Sequence, residues 1–430
     1  MKIGFVSLPL SGHLNPMIAL ARKLKSRGHE VVFFGVPDVA PFAKAANLDF
    51  VSYAEKEHPA GSTAKDWGKV AKLRGIDVLK YTSGNLTPIL VKSTLEHLPA
   101  KAAEAGVEAF VCDLIFRFAE MVPMQLGLPY VQIWVVLNFD TSGTTPMGVT
   151  SSLPDPSPEG RARNLELVKM FGSLRTNSLV VGQAHAEKVG LQIDWTNPGA
   201  TASKLAIISQ TPKEFDFPGI PWPPQFHYAG PLHNDEGREP IPFPWEKLTG
   251  QPLIYASLGT LLNGLEDIYR AILQAIKAIP DTQLVVSVGN NINLDDLGEI
   301  PSNAIVVHSA PQIELLKRAS LCITHAGLNT ALESLAEGVP MVAIPVGFDQ
   351  PGVAARIAYH GVGEFVEVED VTPERLAALI RQVQGNSSYR EKARYFQKVI
   401  ERTHGLDIAA DVIEQAFQIN SAQEHAAMQA

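Results

Sequence analysis

Short β-branched runs alternate with helical stretches along the whole chain, and the alternation occurs twice. In the first half the expected strands are Lys2–Leu8, Glu30–Gly35, Leu48–Tyr53, Ala109–Asp113, Tyr130–Trp134 and Leu205–Gln210. In the second they are Leu253–Ser257, Gln283–Val288, Ala304–Val307, Leu321–Thr324 and Met341–Ile344. Strands separated by helices do not pair as hairpins, so each series predicts a parallel sheet covered on both faces through right-handed crossovers. The fold class is α/β, with two Rossmann-like domains. Leu14–Arg27 reads as the first crossover helix, with Pro16 in its opening turn and Gly28 just past its end. From about Asp140 to Asn197 no clear strand is seen, and the cluster Ser152–Gly160 marks a loop, so helices and loops are inserted late in the first domain. Pro231, Pro240, Pro242 and Pro244, interspersed with charges, mark an interdomain linker. The expected boundaries are 1–232, a linker at 233–250, and 251–389.

Composition removes several classes of function. With 46% hydrophobic and 19% charged residues over 430 positions, the chain can fill two cores. A formal net charge of −9 and the lack of a Lys/Arg cluster argue against nucleic acid as a partner. Two cysteines, Cys112 and Cys322, are too few for a disulfide framework or a zinc site and read as buried thiols. The apolar start Ile3–Leu10 is too short for a signal peptide, and no window reaches the ~20 apolar residues of a membrane span, so a cytoplasmic location is expected.

Chemistry concentrates between Ser309 and Gln350. The strand ending at Thr324 leads into His325-Ala326-Gly327-Leu328-Asn329-Thr330, and a helix begins at once. The first N–H groups of such a helix have no intrahelical partner and sit at the positive end of its dipole, which suits a phosphate. Glu333 follows His325 by about two turns. The next strand delivers Asp349 and Gln350 at its carboxyl end, where open parallel sheets bind ligands. Diphosphate, ribose and hexose of a nucleotide sugar would each find a partner here. Singly, these residues have bland readings: a hydrogen-bonded histidine, a solvated glutamate, a helix cap.

In this order the residues resemble the signature of the family 1 UDP-glycosyltransferases, and the likeness extends over nearly the whole chain. It implies the GT-B architecture, two Rossmann-like domains facing across a cleft, with the helical end from about 390 to 418 packed back on the first domain and the last dozen residues frayed. It implies that His325, Gly327, Leu328, Asn329 and Thr330 hold the diphosphate, Glu333 the ribose, Asp349 and Gln350 the hexose, and Gln312 the nucleoside. Ser309 stands where plant members have a Trp that stacks on uracil, and Leu328 replaces a second Trp. Ser257-Leu258-Gly259-Thr260, closing the first strand of the second domain, matches a small-residue loop that lies against the phosphates. Glu333 as ribose ligand favours UDP over dTDP, which lacks the 2′-hydroxyl. The donor implied is a UDP-sugar, glucose above other hexoses. No Asp-x-Asp triplet occurs, so neither metal nor other cofactor is expected.

His13 follows the first strand at the mouth of its sheet, and Asp113 closes the hydrophobic run Ala109–Asp113. By position alone His13 is a catalytic base or a turn cap, and Asp113 its partner or a helix cap, with Asp140 as the alternative carboxylate. The resemblance implies the first reading of each, with Gly12 beside them at the donor. The expected reaction is one displacement at the anomeric carbon, giving a β-glycoside. Phe116, Met121, Trp134 and Phe139 are candidates for an apolar acceptor pocket. The segments Gly12–Pro16 and Pro37–Phe42 are similar to bacterial glycosyltransferases of lipophilic small molecules, carotenoid glucosyltransferases among them, so the acceptor expected is a lipophilic alcohol, met through transient contact with membranes. The competing readings are a nucleotide-sugar 2-epimerase of the same architecture and a non-catalytic nucleotide-sugar-binding auxiliary protein.

Overall fold

A computed structural model describes residues 1–233 and 241–429, with side chains described as far as Gln418; the middle of the expected linker lies outside the described residues. The first sheet holds seven parallel strands, β1 (Lys2–Val6), β2 (Glu30–Gly35), β3 (Asp49–Ser52), β4 (Ala109–Asp113), β5 (Tyr130–Trp134), β6 (Ile207–Ser209) and β7 (Phe226–Tyr228), in the order β3-β2-β1-β4-β5-β6-β7. The second holds six, β8 (Leu253–Ser257), β9 (Gln283–Ser287), β10 (Ala304–Val307), β11 (Ala319–Thr324), β12 (Met341–Ala343) and β13 (Gly363–Phe365), in the order β10-β9-β8-β11-β12-β13. Every strand pair is parallel. Central strands such as β4 and β8 are buried at every residue, as burial on both faces requires. The three-residue edge strands β7 and β13 were not expected: each is too short to carry a period, and its pairing is dictated by the neighbouring strand.

Each sheet reverses its winding at one place, between β1 and β4 in the first and between β8 and β11 in the second. Loops leaving the carboxyl ends of those paired strands diverge to opposite faces and open a crevice, the usual ligand site of such sheets. His13 and Asp113 leave the first crevice. In the second, Thr324 is registered with Ser257 and with Ala343, which brings three site loops together.

The first crossover helix spans Ser11–Ser26, so Gly12 and His13 lie in its first turn and not in a preceding loop. Pro16 thus falls in the second turn. It has no N–H to give the carbonyl four residues back, and Gly12 is left with a free acceptor inside a helix. Asn329 Nδ2 of the second domain donates to that oxygen at 2.8 Å.

The two domains are joined by more than the chain. The helices Ser62–Gly68 and Gly75–Tyr81 of the first half place Trp67 and Val78 in the second domain's core, Val70 joins them from the connection between the two, and Gly75 N donates to the Val346 carbonyl at 2.6 Å. Asp216 and Arg356 form a fully buried ion pair across the junction, Nη2 to Oδ1 at 2.7 Å. The helix Ser387–Thr403 packs through Ala393 and Phe396 on the second domain, and only the helix Gly405–Gln429 lies on the first, through Ala409, Ala410, Ile413 and Phe417. The return crossing therefore falls at His404 and not near 390. Both crossings meet: a Cβ on Gly230 would come 2.5 Å from Thr403 Cγ2, and one on Gly405 would strike the Pro231 carbonyl. Cys112 and Cys322 are buried thiols.

Candidate functional site

Between the sheets lies a cavity of about 1030 Å³. His13 Nδ1 stands 2.8 Å from Asp113 Oδ2, and the same oxygen accepts from Ser7 Oγ at 3.0 Å and Leu8 N at 3.3 Å. Asp113 is fully buried, and its other oxygen accepts from Ile115 N at 3.0 Å. A carboxylate held by so many donors fixes the imidazole's orientation and leaves Nε2 as the nitrogen able to take a proton. Asp140 does not compete for this place. It accepts from Ser142 and Thr145 and organises its own turn.

Across the cavity the His325 ring is flanked by glycines. A Cβ on Gly327 would sit 2.5 Å from His325 Nε2, and one on Gly259, whose φ is +77°, 2.6 Å from the same atom. Burial pushes the imidazole down to about 4 against the opposing pull of the Ser257 carbonyl, so His325 is neutral at neutral pH. Ala326 between these residues has φ +62°, a left-handed backbone that costs a non-glycine residue about 1–2 kcal/mol. Gly327 itself has φ −62° and ψ 134°, which alanine tolerates. Gly327→Ala is therefore expected to act by steric displacement of His325 alone, weakening nucleoside diphosphate binding about 10–100-fold by titration calorimetry. Gly172→Ala, with nothing within 4 Å, serves as the neutral control.

The remaining residues singled out in the sequence also line this cavity: Gly12, Ser257, Thr260, Ser309, Gln312, Leu328, Asn329, Thr330, Glu333, Asp349 and Gln350. Several are already engaged. Gln312 Nε2 donates to Glu333 Oε2 at 2.5 Å and to Thr330 Oγ1 at 3.3 Å, while its oxygen accepts from Tyr255 at 3.1 Å. Asn329 bridges to Gly12 and, through Oδ1, to Gln210 at 2.9 Å, so its side chain joins the domains. Thr260 Oγ1 meets Ser11 Oγ at 2.7 Å. Asp349 Oδ2 accepts from Leu137 N of the first domain at 2.8 Å, and burial raises its carboxyl above the usual carboxylate range. The side-chain oxygen of Gln350 accepts from the N–H groups of Val346 and Gly347. Ser309 is exposed at the rim.

Of the four apolar residues expected at the acceptor, only Phe139 lines the cavity. Phe116 and Met121 are fully buried in the first core, and Trp134 turns its indole N–H to the Leu137 carbonyl at 3.1 Å. Alternation along β5 sends Trp134 inward. The apolar wall is instead Phe42, Trp67, Leu79, Phe118, Phe139, Phe171 and Phe348, drawn from loops and helices whose approach no local pattern reports. Arg117 and Arg175 interrupt that wall and went unnoticed in the sequence.

A family model described as UDP-glucoronosyl and UDP-glucosyl transferase matches residues 183–414, more than half of the chain. The chain belongs to that family. This UDP-glycosyltransferase is 28% identical to the zeaxanthin glucosyltransferase of Pantoea ananas, over 96% of its own length and 95% of the relative's. It is also 28% identical to the demethyllactenocin mycarosyltransferase of Streptomyces fradiae, over 96% and 86% respectively. Among solved structures it superposes on the glycotransferase of kitacinnamycin with a TM-score of 0.72 and 25% identity, covering 96% of this chain and 98% of that one. The fold of VinC, solved with dTDP, gives 0.70 at 19% identity, with coverage of 97% and 100%. The UDP-glycosyltransferase is thus a GT-B enzyme that moves a sugar from a nucleotide sugar to a small-molecule acceptor. Among the described residues no helix is long and apolar enough to cross a membrane.

Proposed function

We propose that the enzyme transfers a hexose, glucose in first place, from a UDP-sugar to a hydroxyl of a lipophilic small molecule, with inversion at the anomeric carbon. The observation that carries this reading is a His13–Asp113 pair and a glycine-flanked His325 turn opening on one cavity. His13 Nε2 takes the acceptor proton as the hydroxyl oxygen attacks; the bond to UDP breaks, and the imidazolium is stabilised by Asp113. Charge developing on the diphosphate falls on the N–H groups opening the helix Leu328–Ala336, on His325 and on nearby hydroxyls. The mechanism assigns no part to a metal or other cofactor, and among the described residues no group of three His, Cys, Asp or Glu side chains is arranged to hold an ion. The apolar wall around Phe118, Phe139 and Phe171 supports an acceptor site, which a 2-epimerase would not need, and the intact pair speaks against a purely auxiliary protein. Such an enzyme would work in the cytoplasm and collect lipophilic acceptors in passing contact with membranes.

The test is a mass-spectrometric screen of UDP-glucose, UDP-galactose and dTDP-glucose against terpenoid, steroid and flavonoid alcohols, with the anomeric coupling of each product read by NMR. An α-linked product, or conversion of UDP-sugar without acceptor, would overturn the proposal. Glu333 provides a second check. Glu333→Ala removes the proposed ribose partner, so the KM for UDP-glucose is expected to rise about 10–100-fold, while that for dTDP-glucose, lacking the 2′-hydroxyl, changes less.

A further inference from the structure

Arg175 stands between the helices Pro158–Leu174 and Thr176–Val189, where the negative end of one helix dipole meets the positive end of the next and neither gives its charge a net partner. Its guanidinium lies over the Phe171 ring, 4.3 Å from the centroid, and lines the cavity. None of its N–H groups has a hydrogen-bond or carboxylate partner among the described residues. The group acting most directly on it is a second cation, Arg117, which lines the same wall and gives one N–H to the Pro198 carbonyl. Burial and this neighbour push Arg175 down to about 9, so it still carries its charge at neutral pH. Glu120, the carboxyl felt by Arg117, is buried behind the strand and hydrogen-bonded to Thr201. A guanidinium set among aromatic rings beside a like charge, with its donors turned to a cavity, is a poor structural element on its own account.

Resting on the reading of this cavity as an acceptor site, we propose that Arg175, assisted by Arg117, binds a carboxylate on the acceptor. The preferred substrate is then a hydroxylated hydrophobic acid: its apolar body lies against Phe139 and Phe171, its carboxylate meets the guanidinium fork, and its hydroxyl reaches His13. A single carboxylate suits the place better than a phosphate, because among the described residues lining the cavity Arg117 and Arg175 are the only lysine or arginine side chains, and the wall beside them is apolar.

The test uses ω-(4-hydroxyphenyl)alkanoic acids of increasing chain length and their methyl esters, each with UDP-glucose and the full-length enzyme. At the length that spans Arg175 and His13, kcat/KM for the acid is expected to exceed that for its ester about 10–100-fold. Arg175→Gln should bring the acid-to-ester ratio to about one, and Arg175→Lys should restore part of it; a mere packing role for Arg175 would lower both substrates alike and leave the ratio untouched. Equal rates for acid and ester at every length, or a ratio unchanged in Arg175→Gln, overturn the carboxylate site while leaving the transferase reading intact. No transfer to acid, ester or any neutral alcohol overturns both.

Discussion

His13→Ala is expected to lower kcat for transfer to an aliphatic hydroxyl by about 10²–10⁴-fold, the range a positioned general base contributes. The hydroxyl is a weak nucleophile until its proton begins to leave, and Nε2 of His13 is the acceptor oriented toward the cavity by the 2.8 Å bond from Nδ1 to Asp113. An acceptor already ionised near neutral pH, such as 4-nitrophenol, needs no base and should lose far less. That contrast separates loss of proton transfer from a general disturbance of the site. Asp113→Asn should repeat the pattern more weakly, because it leaves the ring in place and removes the charge that stabilises the imidazolium. Steady-state rates with the two acceptor classes decide it: near-normal turnover of the aliphatic alcohol by His13→Ala removes His13 from the mechanism.

The largest effect on stability is expected at Asp216. Its Oδ1 takes two N–H groups of Arg356, at 3.1 and 2.7 Å, and its Oδ2 takes Asn138 at 2.9 Å and the Tyr228 hydroxyl at 2.9 Å. Arg356 also rests on the Phe217 ring, 4.0 Å from the centroid. Without it, the fully buried Arg356 keeps the Gly352 carbonyl, 3.1 Å from Nη1, but no carboxylate. Asp216→Ala leaves a buried guanidinium unpaired and should cost about 3–5 kcal/mol, read as a lowered thermal or denaturant midpoint. Replacing both partners, Asp216→Leu with Arg356→Met, should recover part of this loss but not all, since Asn138 and Tyr228 remain orphaned. If the single variant unfolds like the wild type, the pair contributes nothing to joining the domains.

Much of the fold was legible because the strands of a parallel sheet are apolar, β-branched and separated by helices of ordinary length. Lys2, Glu30, Ala109 and Leu253 each open a strand where composition placed one. The edge strands β7 and β13 were illegible for the converse reason: three residues carry no period. The second domain's lining of the cavity was legible because its residues follow one another closely along β11 and β12, and the connection of each strand to its helix fixes where they lie. The apolar wall was not. Phe42, Trp67 and Phe171 come from segments far apart in sequence, Arg175 stands one turn beyond Phe171, and Trp67 reaches the second domain on an arm that local pattern gives no reason to extend there. The mistaken choice of Phe116, Met121 and Trp134 has the same origin, for aromatics near strand ends are core residues unless a third element leaves them uncovered. Asn329 shows a subtler limit. Its role at the domain junction depends on a carbonyl that Pro16 sets free in a distant helix.

The meeting of Gly230 and Pro231 with Thr403 and Gly405 has a mechanical consequence. Both tethers between the lobes pass through one small seam, so the backbone supplies a single pivot, and any parting of the lobes is a swing about it in place of a slide. Such a swing must first release the Asn329–Gly12 and Asp349–Leu137 latches, which are built from side chains that line the cavity. Admission of substrate and the grip of one lobe on the other are thereby bound to the same few atoms.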